Sequence, residues 1–179
     1  MDQSATEQLK FPVGRFKAPQ QISAEDLDNY IGILEAFPVL LRTAVKGWSS
    51  RRLDTPYRPG GWTVRQLVHH VADSHFNAYV RFKLALTEDA PVIKPYEQDG
   101  WANLPDSQLP VAPSLSILDG VHQRWTHLLR QMPEGGWNRT FLHPEGNKVY
   151  SLGLAAALYA WHSRHHLQHI LNLKEEKGW

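Results

Sequence analysis

Ser151 to Leu173 reads SLGLAAALYAWHSRHHLQHILNL, and it packs four histidines, His162, His165, His166 and His169, into eight positions behind an apolar run. At about 100° per residue, Leu152, Ala156, Tyr159, Ala160, Leu167 and Ile170 gather on one arc, which makes the stretch an amphipathic helix. His162 and His166 stand four apart, so both imidazoles share a face one turn apart, close enough to grip a single metal ion. His165 and His169 have the same spacing. The angular count places the first pair at the edge of the apolar arc, beside Ala155 and Leu173, and turns the second toward Arg164, Gln168 and Asn172. The inner pair is the better candidate, although a packed, hydrogen-bonded pair would show the same spacing. Two ligands do not make a tight site, so the question is where a third comes from.

Working outward, the rest of the chain supplies partner helices. Ser23 with Asp26 three residues on signals a helix start, and Leu27, Tyr30, Ile31, Leu34, Phe37, Leu41 and Val45 carry that helix over about 24–46, with Pro38 expected to kink or split it. A second helix opens at Trp62 or Thr63 and runs to about Leu86. It carries His69, His70 and His75. His70 shares a polar strip with Thr63, Ser74, Asn77 and Arg81 along the margin of the buried face, whereas His69 falls beside Trp62, Asp73 and Phe76; this favours His70 without excluding His69. A third helix spans about 115–132 with Ser114 as its cap, and Arg139 to Tyr150 forms a small hairpin around Pro144-Glu145-Gly146-Asn147. Residues 1–21 read as a loose arm broken by Pro12, Gly14 and Pro19. Asp89 to Pro113 holds five prolines and little periodicity, and reads as a long crossover that packs Tyr96 and Trp101 over a pocket mouth. The expected fold is all-α: a four-helix bundle in one domain over 1–179, with a long crossover from helix two to helix three and a hairpin before the last helix. Such bundles build metal sites from facing helices, so a histidine of helix two is available as the third ligand.

Composition narrows the function. Lys+Arg 19 against Asp+Glu 18 leaves a formal net charge of +1, and no basic stripe marks a nucleic-acid partner. With no cysteine in the chain, disulfides, thiolate ligands and a cysteine nucleophile are excluded, so any bound metal takes nitrogen or oxygen ligands. The opening MDQSATEQLK lacks the basic and apolar stretches of a signal peptide, and the apolar run Leu152 to Trp161 is about half of what a membrane span needs. The expected location is the cytoplasm, without a membrane partner.

Three segments, RPGGWTVRQLVHHVADSHFNAYVRFKLALTED (58–89), KPYEQDGWANLPDS (94–107) and YAWHSRHHLQHI (159–170), resemble the DinB-like four-helix proteins. The likeness covers about Phe11 to Trp179 and is nearest to the YfiT-like branch of metal-dependent hydrolases, whose bacillus representative is regarded as a bacillithiol S-transferase. The resemblance implies one divalent metal, zinc or nickel, held by three histidines with water in the remaining positions. The family's first ligand sits in an H-hydrophobic-x-Asp pattern, matched by His70-Val71-Ala72-Asp73; its HxxxH pair is matched by His162 and His166. The family's habit of pairing, together with seven tryptophans, points to a homodimer.

Three neutral imidazoles leave open positions on a metal, as in catalytic rather than structural sites. The ion then makes water or a thiol nucleophilic at neutral pH. A zincin peptidase would have glutamate after the first histidine of the helical pair; Ser163 stands there instead. The first expectation is a transferase that activates a small-molecule thiol for transfer of sulfur to an electrophile, with Arg81 and Arg164 as anchors for an acidic thiol. The second is a hydrolase using metal-activated water, with Asp73, Glu97 or Asp99 as base. Asp73 is otherwise a group that orients a nearby histidine. The third is a non-catalytic, metal-stabilised binding module, in which His122, His127 and His143 are surface or packing residues.

Overall fold

The computed structural model describes residues 3–179. In chain order its elements are α1 (Gln3–Lys10), α2 (Ala24–Ala44), α3 (Ser50–Leu53), α4 (Val64–Thr87), α5 (Gln98–Ala102), α6 (Ala112–Arg130), β1 (Thr140–His143), β2 (Lys148–Ser151) and α7 (Leu152–Lys177). The four long helices α2, α4, α6 and α7 are the expected bundle.

Local chemistry sets most of their ends. Ser23 Oγ accepts the Asp26 N–H at 3.1 Å while the Asp26 carboxylate accepts the Ser23 N–H at 2.9 Å, a reciprocal capping box. Thr63 and Gln66 repeat the arrangement at the start of α4, and Ser151 Oγ caps α7 through the Leu154 N–H at 3.1 Å. The start of α6 departs from expectation. It begins at Ala112, with Pro113 in the first turn, where a missing N–H costs nothing. Ser114 is therefore not the cap, and its hydroxyl is turned into the protein toward His69.

Pro38 neither splits nor ends α2. Its missing N–H leaves the Leu34 carbonyl, one turn earlier, without an intrahelical donor. That carbonyl is met from α6 by His122 Nδ1 at 2.7 Å.

The arm and the crossover are both more ordered than their composition suggests. Gln3–Lys10 is helical, and the following segment lies along α7: Trp161 Nε1–H donates to the Gly14 carbonyl at 3.0 Å, and the Phe16 and Trp161 rings are 6.0 Å apart. The first two residues of the expected arm lie outside the described residues. In the crossover, the Ile93 N–H donates to the Leu142 carbonyl at 3.0 Å and the Leu142 N–H to the Pro91 carbonyl at 2.9 Å, which fastens it to the edge of the hairpin. Further on, α5 is tied to α4 by Gln66 Nε2, which donates to the Ala102 carbonyl at 3.0 Å. The strands β1 and β2 are antiparallel, with Phe141 opposite Tyr150.

Packing explains how the site assembles. Helix α2 packs on α6 and α7, and α4 packs on the same two. Successive long helices α2 and α4 are thus diagonal rather than adjacent, and α4 lies alongside α7. One apolar cluster surrounds Phe82, Trp125 and Leu152; the other surrounds Phe37, Leu67 and Ile170. Between them, at mid-bundle, the inward positions of α4, α6 and α7 carry His75, His122, His162 and His166.

Candidate metal centre

The α4–α7 contact sets His70 against the histidine pair of α7. One nitrogen each of His70, His162 and His166 lies within 4.8 Å of the others. His162 Nε2 and His166 Nε2 are 3.1 Å apart. A tetrahedral ion with nitrogen ligands at 2.0–2.1 Å holds them roughly 3.3 Å from each other, so the cluster fits a small divalent metal. His70 and His166 are buried and His162 partly so. Burial holds all three imidazoles neutral. His70 is lowered to about 4, with His165 adding to the effect, while His162 and His166 are pushed well below the usual range by burial first and neighbouring imidazoles second. Neutral imidazole is the form that binds metal.

His69 has other partners. Its Nε2 lies 3.0 Å from the Leu109 carbonyl, and its Nδ1 lies 2.7 Å from Ser114 Oγ. The carbonyl can only accept, so Nε2 carries the proton and Nδ1 accepts from the hydroxyl. Neither nitrogen is free for a metal.

Other candidates fare differently. Arg81 lines a polar cleft of about 430 Å³ that reaches His70 and His162, together with Ser74, Tyr96, Glu97 and Asp99. Arg164 is not brought there. It is exposed and lines grooves on the α2 side of α7, because helical rotation carries it away from the inward face. Asp73 is half-buried, and burial raises its carboxyl to about 6, with Asp106 contributing. Among the described residues its carboxylate makes no hydrogen bond to an imidazole. Glu97 and Asp99 are exposed at the cleft.

Several residues at the site carry no sequence signal of their own. His165 and His169, expected on the polar side, are buried, with Nε2 atoms 3.3 Å apart. The Trp161 ring stacks on His165 at 4.7 Å and Tyr57 lies 4.3 Å from His169. The surrounding cavity, about 510 Å³, is lined by Lys10, Phe11, Arg58, Trp62 and the three clustered histidines among others. His122 is buried and hydrogen-bonded rather than merely packed; His127 is exposed, and His143 lines the polar cleft.

The sequence profile of the DinB superfamily matches residues 33–170. The chain belongs to the DinB superfamily. Within it, the chain is 50% identical over 171 residues to a protein of Bacillus mycoides (strain KBAB4), covering 96% of this chain and 98% of the relative, and equally so to one of Bacillus cereus (strain B4264). Both are named as candidate metal-dependent hydrolases. Among solved structures, the DinB-type bundle superposes on YfiT from Bacillus subtilis with a TM-score of 0.93 and 46% identity, covering 96% of this chain and 99% of that one. YfiT is described as a candidate metal-dependent hydrolase with an unusual four-helix bundle topology. The diagonal placement of α2 and α4 is this chain's departure from a simple up-and-down bundle.

Proposed function

We propose that this DinB-superfamily chain is a metal-dependent enzyme in which His70, His162 and His166 hold one divalent ion, zinc or nickel, and that it transfers a low-molecular-weight thiol resembling bacillithiol to an electrophile. Such an ion, when bound, lowers the pKa of a thiol or water so that it is nucleophilic at neutral pH.

The observation that carries the two-substrate reading is that His70, His162, Gln98 and Asp99 line both cavities. One cavity is basic and aromatic, with Lys10, Arg58, Trp62 and Trp161, and suits an anionic thiol. The other offers Arg81, Tyr96 and His143 to a polar acceptor. In the transfer, the thiol sulfur forms a bond to the electrophilic carbon, the leaving group departs with its electron pair, and the thiol proton passes to solvent through the open clefts.

The names of the relatives favour a second reading, hydrolysis by metal-activated water. Asp99 and Glu97 at the cleft would then receive the proton. The discriminating experiment incubates the zinc- or nickel-loaded protein with bacillithiol or glutathione and a chlorinated aromatic acceptor, and separately with ester and amide panels. Chelator-sensitive thioether formation is expected. Chelator-sensitive hydrolysis without conjugation selects the second reading. No turnover, with chelation lowering only the melting temperature, selects a non-catalytic metal-stabilised module.

A further inference from the structure

Behind the candidate ligands, a line of hydrogen bonds crosses the bundle from α2 to α7. The Leu34 carbonyl faces His122 Nδ1 at 2.7 Å, His122 Nε2 faces His75 Nδ1 at 2.8 Å, and His75 Nε2 faces His162 Nδ1 at 3.0 Å. His75 and His122 are 0% and 2% exposed, so water cannot substitute for any link, and burial disfavours the charged rings. Phe37 packs against both, with ring centroids 5.2 Å and 5.7 Å away.

The direction of this line is fixed at one end. A carbonyl oxygen only accepts, so His122 Nδ1 carries the proton. A neutral imidazole has one N–H, so His122 Nε2 accepts and His75 Nδ1 must donate. By the same step His75 Nε2 accepts and His162 Nδ1 donates. His162 Nε2 is then left with a bare lone pair aimed at His166 Nε2, 3.1 Å away. The origin of the line is Pro38, which deprives Leu34 of its helical donor.

We propose that His122 and His75 are positioning residues: a one-way relay, anchored on the Leu34 carbonyl, that locks His162 as the Nδ1–H tautomer and presents its Nε2 to the metal. The relay rests on the reading that His162 is a ligand. It also separates the two ligands of α7, because His166 Nδ1 is buried without a partner among the described residues. Partners of this kind raise ligand basicity and fix ring orientation, and their loss costs about 10–100-fold in metal affinity.

The test uses the full chain. Two-bond ¹H–¹⁵N NMR of the metal-free protein reports each histidine tautomer, and zinc titration reports affinity for the wild type, His75→Phe, His122→Phe and His162→Ala. The expected result is Nδ1–H at His122, His75 and His162 in the wild type, zinc dissociation constants raised about 10–100-fold in both Phe variants, and an Nε2–H population at His162 in H122F. A wild-type spectrum showing His162 as Nε2–H overturns the relay, and it does so whether or not a variant folds. Folded Phe variants that bind zinc within about twofold of wild type, while H162A does not bind, overturn the relay alone. H162A binding like wild type overturns the ligand assignment and the relay with it.

Discussion

His69 Nδ1 lies 2.7 Å from Ser114 Oγ, which ties α4 to the first turn of α6 and leaves the neighbouring His70 to face α7. Adjacent histidines thus have separate duties. His70→Ala is expected to abolish stoichiometric zinc with little loss of fold. His69→Ala should keep the zinc and lose about 1–3 kcal/mol of stability, because it leaves the buried Ser114 hydroxyl without its acceptor. Elemental analysis beside urea unfolding checks both; zinc lost from H69A and kept by H70A would reverse the assignment.

Arg58 borders the basic cavity and Arg164 does not. Arg58→Ala should raise KM for an anionic thiol several-fold with kcat and metal content little changed, and Arg164→Ala should leave both parameters alone. Steady-state kinetics on the two variants decide it, and equal effects would remove Arg58 from substrate binding.

Acid should destabilise the metal-free protein. His122, His165 and His70 are lowered to about 4 and His169 to about 3, in each case chiefly by burial. Above the unfolded value of about 6.5 these groups are neutral in both states and contribute no pH dependence. Below it the unfolded chain takes up protons that the folded chain refuses, so stability falls toward the folded values, by about 1.4 kcal/mol per pH unit for each such group. Denaturant melts at steps between pH 7.5 and about 4.5 should show this slope; a flat profile would mean that these rings are not held neutral.

Arg65 is 7% exposed and donates to Asp54 at 2.6 Å and to the Leu109 carbonyl at 3.0 Å, the same oxygen that His69 uses. Asp54→Ala strands a buried guanidinium and should cost about 1.5–3 kcal/mol. Arg65→Met, which removes the charge as well, should cost less than Asp54→Ala. Thermal melts of the two variants test the ranking.

What the sequence made legible was local. The start of α2 is written in Ser23 and Asp26, and the shared face of His162 and His166 in their four-residue spacing. Ser114 misled because a serine at a helix start signals a cap only if its hydroxyl stays local, and His69 draws it away. The arm and crossover lack periodicity, since Phe11, Phe16, Ile93 and Ala102 are ordered by partners far along the chain. For the same reason angular counting sets His165 and His169 on the polar side: it cannot see the arm, Tyr57 and Arg58 laid over them. His75 and His122 stand 47 residues apart, and no spacing rule joins residues of two helices to a carbonyl freed on a third.

The Gly14 carbonyl held by Trp161 has a practical consequence. A protein trimmed to begin at Ser23 would retain every long helix, all three clustered imidazoles and a sound circular dichroism spectrum. It would also lose Lys10 and Phe11, and with them one wall of the basic chamber. Choosing boundaries by helical content alone would therefore yield a well-folded bundle whose chamber beside the three imidazoles is missing a wall.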